Sequence, residues 1–194
     1  MPVLKYSAIA LAVLLVFGLI FVLGPERGGK RDPAQVQLEG VNFRLYPAQD
    51  ADAEWRFRAD RITFDPVSGD TSIDRPVTGE RFVRGKLDMT LDTARLTIDD
   101  GDNLRMRQAT AHILDSCATL LLRGSDAKPV VIDQNAGYVS PYIRLDIPEG
   151  YMTFSDITMS FNLDVRGTTQ PNAINLDAPK TCKNGKVVAV KRVN

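Results

Sequence analysis

Side-chain alternation with a period of two runs through most of this chain beyond residue 35, and it excludes most folds. Val41, Phe43 and Leu45 alternate with polar neighbours, and so do Trp55, Phe57 and Ala59. The pattern returns at Leu87, Met89 and Leu91, at Leu96 and Ile98, and at Leu104 and Met106. It continues through Ala109, Ala111 and Ile113, through Leu120 and Leu122, and through Ile143, Leu145 and Ile147. Successive side chains of a strand point to opposite faces, so this spacing buries one face of a sheet and solvates the other. Helical spacing is not sustained in this region. The expectation is an all-β, antiparallel domain of sandwich type. The longest unbroken alternation, Ile157, Met159, Phe161, Leu163 and Val165, predicts one continuous strand. Ile62 and Phe64 run on the opposite parity to Trp55 and Phe57, and that slip at Asp60–Arg61 predicts a bulge or bend.

Turn chemistry separates the alternating segments. Asp65 to Asp70 carries Pro66, Ser68 and Gly69, and Asp99 to Asn103 is an acidic turn around Gly101. Asn184–Gly185 is a two-residue hairpin signal in a basic tail. Arg61-Ile62-Thr63-Phe64-Asp65 resembles Arg95-Leu96-Thr97-Ile98-Asp99, with His112-Ile113-Leu114-Asp115 as a looser copy. Each copy ends a strand before a turn, which fits successive hairpins.

The region before the alternation is different. Tyr6 to Leu23 holds no charge, and a helix of that length nearly spans a hydrocarbon core of roughly 30 Å. The run is longer than the apolar part of a cleaved signal, and Val22-Leu23-Gly24-Pro25 offers no small-x-small cleavage site. The expected organisation is a transmembrane anchor at 6–24, a linker at 25–34, a β domain at 35–179 and a basic hairpin or tail at 180–194. Arg27, Lys30 and Arg31 outnumber Lys5, which pulls the orientation the other way. The strand-rich domain and its two cysteines nevertheless place it outside the cytoplasm, on a single-pass membrane protein.

Lys plus Arg and Asp plus Glu are equal at 24 each, so no overall basic field points to nucleic acid. Cys117 and Cys182 are the only cysteines. In an oxidising compartment they can form a disulfide, the alternative being free buried thiols. With His112 as the one histidine, a multi-histidine zinc site is excluded, and no nucleophile elbow surrounds Ser116. Asp99, Asp100 and Asp102 invite a calcium reading, but the spacing does not match a calcium loop. No glycine-rich phosphate cradle precedes a helix. Neither a metal, a cofactor nor an enzymatic activity is expected.

What remains is the apolar face itself. Phe43, Trp55, Phe57, Phe64, Leu87, Met89, Leu91, Leu96, Met106, Ile113, Ile157, Met159 and Phe161 are expected to point inward. They make either an ordinary sandwich core or a slot for an acyl chain, which flexible methionines suit. Edge strands of an unclosed sheet can also pair with a partner's strand.

The layout resembles the LptC family of the lipopolysaccharide transport bridge. Trp55-Arg56-Phe57-Arg58-Ala59-Asp60-Arg61-Ile62 is similar to that family's aromatic strand running into an Ala-Asp step. Asp74-Arg75-Pro76-Val77 is similar to its Pro-Val entry, and Leu120-Leu121-Leu122-Arg123-Gly124 to its Leu-x-Leu-x-Gly step. The likeness covers about Val41 to Gly124. It implies a twisted β-jellyroll open at both ends, held in the periplasm by a single-pass inner-membrane anchor and binding lipopolysaccharide or a similar amphipathic envelope lipid. It also implies strand-edge docking to an inner-membrane ABC transporter and to a soluble β-jellyroll bridge protein. The rival reading is an anchored β scaffold that binds no lipid.

Overall fold

A computed structural model describes residues 36–167 and 170–190. The expected anchor and linker lie outside those residues, and no described helix is long and apolar enough to cross a membrane. The described chain is all-β and antiparallel. The strands are β1 (Val36–Leu45), β2 (Ala53–Phe64), β3 (Thr71–Val83), β4 (Lys86–Ile98), β5 (Leu104–Met106), β6 (Gln108–Ile113), β7 (Ala118–Arg123), β8 (Val130–Asp133), β9 (Gly137–Ile147), β10 (Gly150–Met159) and β11 (Ala173–Asn175). A separate hairpin follows, β12 (Lys180–Lys183) and β13 (Lys186–Ala189).

With its broken strands taken as single ones, the main sheet is a meander. β5 and β6 are two arms of one strand broken at Arg107, both lying against β4. β7 and β8 are likewise two arms lying against β9. The segment between them turns at Gly124, where an added Cβ would meet the Lys128 carbonyl oxygen at 2.5 Å and the Val130 nitrogen at 2.8 Å. Only a glycine fits so close to another backbone.

A line of irregularities crosses the meander and gives it a barrel-like, two-layered form. The register shifts between Arg58 and Arg61 on β2 and between Asp74 and Val77 on β3. Further along come the breaks at Arg107 and 124–129, then Pro141 on β9 and Asp156 on β10, whose φ is 47°. Proline cannot donate to a ladder. Here the Ser140 hydroxyl donates to the Tyr142 carbonyl at 2.8 Å and accepts from the Tyr142 N–H.

The buried parity flips at this crease on strand after strand. Trp55 and Phe57 give way to Ile62, and Met89 and Leu91 to Leu96 and Ile98. Leu104 and Met106 give way to Ala109 and Ala111, and Tyr138 to Ile143 and Leu145. A side-chain period of two would send a bent but uninterrupted strand's apolar set outward. An irregularity at each bend resets the phase and keeps one face inward. The result is one continuous apolar core. The slip expected at Asp60–Arg61 is therefore one instance of a device used across the sheet. The two similar pentapeptides occupy matching arms, with Ile62 and Leu96 both paired to Ile73 on either side of β3.

One expected strand is corrected. β10 begins at Gly150 and ends at Met159, so the alternation through Val165 is not one strand. Ser160 N–H donates to the Asp164 carbonyl at 2.8 Å, and the Asp164 N–H to Ser160 Oγ at 3.1 Å. That turn, with Leu163 at φ 67°, folds the segment back to a single bridge between Met159 and Val165. Phe161, Leu163 and Val165 still pack on the core, so the alternation reported burial rather than extension.

Candidate lipid-binding interior

Most of the residues expected to face inward do so. Trp55, Phe57, Met89, Leu91, Leu96, Met106, Ile113, Ile157 and Met159 are buried in one cluster. Trp55 and Phe57 stack with ring centroids 5.6 Å apart and planes 5° apart, and Phe43 adds a third ring 6.3 Å from Phe57. Leu87, Phe43 and Phe161 are half-buried. Phe64 is the exception: among the described residues it is 40% exposed, at the end of β2 where the strand runs out into a turn.

Cover over the inner face is uneven. Trp55, Ile73, Met89, Leu120, Ile132 and Met159 are sealed from water. Val41 and Phe43 on β1, Ile147 on β9 and Met152 on β10 are only partly covered. The inner face is thus sealed over most of its extent and left partly open at these four positions.

Several polar groups within the core are tied down, while Arg81 Nε and Ser116 Oγ are buried with no partner among the described residues. Trp55 Nε1–H donates to Gln134 Oε1 at 3.2 Å, and Gln134 Nε2–H to the Asp102 carbonyl at 3.0 Å. Arg81 is 5% exposed and forms ion pairs with Asp50 and Asp88. Its guanidinium lies 4.0 Å from the centre of the Phe161 ring, which meets Tyr138 edge-on at 5.4 Å. Phe161 therefore caps a buried charge. Burial pushes the Tyr138 phenol well above its ordinary range. Its hydroxyl reaches only Met89 Sδ, at 3.0 Å.

Sequence reasoning did not single out Ile73, Val77, Ile132 and Tyr138 as interior residues, nor Arg81 as a buried cation. Ile73 and Val77 stand among polar residues with no local alternation. Arg81 occupies an inward parity with Val77 and Gly79, and that phase was the only available signal.

Other candidates resolve into structural roles. Asp99 accepts from the N–H groups of Gly101 and Asn103 at 3.0 and 2.9 Å and from Arg105 Nε at 2.7 Å. Burial works to raise its pKa, but the Asn103 and Arg105 donors outweigh it and hold the carboxyl below the usual carboxylate range. Asp102 accepts from the Ala48 N–H at 3.0 Å. Among the described residues no cluster of three His, Cys, Asp or Glu is placed to hold a metal. His112 is exposed, with Nδ1 3.0 Å from Thr119 Oγ1. Cys117 and Cys182 are bonded, with Cα atoms 5.6 Å apart. The bond joins the turn after β6 to the β12–β13 hairpin, which reverses at Asn184 and Gly185 with φ 54° and 71°.

In comparison with known proteins, no family model and no curated protein matches the chain.

Proposed function

We propose that this chain is a membrane-tethered envelope module that accepts the acyl part of an amphipathic lipid, such as lipopolysaccharide, and hands it to a strand-paired partner. The observation that carries this reading is the uneven cover of the apolar face. Acyl chains laid against Val41, Phe43, Ile147 and Met152 would exchange exposed for buried apolar area at about 25 cal/mol per Å². In this reading the domain is a jellyroll open at both ends, and the fully sealed centre is its closed backstop.

Two further features support it. Among the described residues β1 is paired only with β2 and β11 only with β10, and edges of that kind offer backbone groups for β-augmentation. An inner-membrane ABC transporter would take one edge and a soluble β-jellyroll bridge the other. The Cys117–Cys182 bond suits an oxidising compartment such as the periplasm, with Tyr6 to Leu23 as the tether. Hand-off is passive here, and the transporter supplies the energy.

Photo-crosslinking tests the reading. A photoreactive residue at Phe43 or Met152, in the full chain in its own membrane, should capture lipid. The same probe at exposed His112 should not. Equal capture at all three positions, or none at any, would defeat the proposal. A second reading, a scaffold with a dry core, draws on the complete burial of Trp55, Phe57, Met89 and Met159. It expects native mass spectra of gently purified protein to show the protein mass alone.

A further inference from the structure

The sheet parts at one place on the crease. β4 pairs with β5 through Thr97↔Arg105 and Ile98↔Leu104, and with β6 through Leu91↔Ala111 and Asp92↔Thr110. Both stretches keep one register, yet Thr93 to Leu96 and Met106 to Ala109 between them do not pair with each other. The gap is part of a cleft of about 950 Å³, the size of a small-molecule site. Met106, Ala109 and Leu122 belong to the buried core and also line this cleft. Arg95, Arg105, Arg107 and Arg123 line it too, with Asp92 and Asp126.

Carried through the gap, the shared register sets Arg95 opposite Arg107. Like charges facing each other across strands destabilise the pairing, and here the ladder is open at that point. Three of the arginines are oriented through Nε: Arg95 by Asp74, Arg105 by Asp99 at 2.7 Å, and Arg107 by Asp126 at 3.3 Å. Their terminal nitrogens are left for another acceptor. Arg123 makes no ion pair among the described residues and stands 5.9 Å from the centre of the Tyr142 ring.

Several guanidinium forks lining one cleft with apolar residues suit an anion with several acceptor oxygens better than a single carboxylate. We infer that this cleft binds a phosphate-bearing ligand, with the phosphate between Arg95, Arg107 and Arg123 and an attached apolar group resting on Met106, Ala109 and Leu121. The site opens to solvent at the crease and needs no opening of the core. It therefore stands apart from the acyl-chain reading, and crosslinking at Phe43 does not decide it.

The test is calorimetric titration of the purified full chain, in neutral detergent, with inorganic phosphate, dihexanoyl phosphatidic acid and dihexanoyl phosphatidylcholine. Phosphatidic acid should bind saturably and more weakly as salt rises. Arg107→Gln combined with Arg123→Gln should lower its affinity at least about tenfold, from the loss of two charge-assisted contacts. Exposed Ala94→Trp, which fills the cleft without changing charge, should do the same. Lys183→Gln on the distant hairpin should have no effect. Phosphatidic acid binding tighter than free phosphate assigns the site to a phosphorylated amphiphile, and equal affinity assigns it to soluble phosphate compounds. Phosphatidylcholine binding as well as phosphatidic acid, or affinities unmoved in both variants while circular dichroism shows the native fold, would overturn the inference.

Discussion

One methyl group at Gly79 measures how much slack the interior holds. A Cβ there would stand 2.8 Å from Phe57 Cε1, 3.0 Å from Phe57 Cδ1 and 3.5 Å from Leu91 Cβ. Carbon atoms settle at roughly 3.5–4.0 Å, so the ring must retreat by about 1 Å. It has little room to do so. Gly79 lies in the ladder between Phe57 and Leu91, and the Phe57 ring is stacked on fully buried Trp55. Overpacking of this kind costs about 1–3 kcal/mol. For a domain of this size Gly79→Ala should lower Tm by about 2–12 °C. Urea unfolding should show a lower midpoint with an unchanged slope. Phe57→Leu removes the ring atoms that clash, so the double variant should show a favourable coupling of about 1 kcal/mol or more in a double-mutant cycle. Additive effects, or a Gly79→Ala midpoint equal to that of the original chain, would refute the reasoning. They would mean that the centre of the core yields readily to an added methyl group.

Three further outcomes follow from the same geometry. Arg81→Met leaves Asp50 and Asp88 without their shared cation and should cost about 2–4 kcal/mol by urea unfolding, the partial exposure of both carboxylates keeping it near the lower values for broken buried pairs. Asp99 has its pKa depressed in the folded state, so its contribution is present above its unfolded pKa and is lost as pH falls through the folded one. Asp99→Asn should therefore flatten the stability–pH profile in the acid range, and a profile unchanged below about pH 4 would contradict the assignment. Cys182→Ser frees the β12–β13 hairpin, whose Lys183 and Lys186 are exposed. Tryptic cleavage there should speed up while the melting of the body falls by less than the roughly 4 kcal/mol that loop closure over a separation of 65 residues would allow.

Much of the fold was legible locally because a strand's side-chain phase is a nearest-neighbour property. Trp55, Phe57, Met89, Leu91 and Met159 were assigned inward from parity alone, and they are buried. The Asn184–Gly185 turn was legible for the same reason, since its backbone requirement lies within two residues. Where reading failed, two structures shared one pattern. Phe161 to Val165 alternates whether it extends β10 or folds back onto the core, and the Ser160–Asp164 bonds decide between them. Phe64 has inward phase, but its exposure depends on whether anything lies over the end of β2. As for the cleft, its arginines are scattered over β4, β5, β7 and the break at Arg107, and no spacing along the chain announces them.

By itself the amino-acid order determined the class of this protein: period-two stretches, the parity slip at Asp60–Arg61 and turn residues between them permit a creased antiparallel sheet and little else. Tertiary structure alone decided what meets across that sheet. It brought Cys117 to Cys182, set Arg81 between Asp50 and Asp88, and held Arg95 opposite Arg107 over a parted ladder. The reason is physical. Phase is set by each residue's neighbours along the chain, whereas register and cover are settled by the packing of segments that are far apart in it.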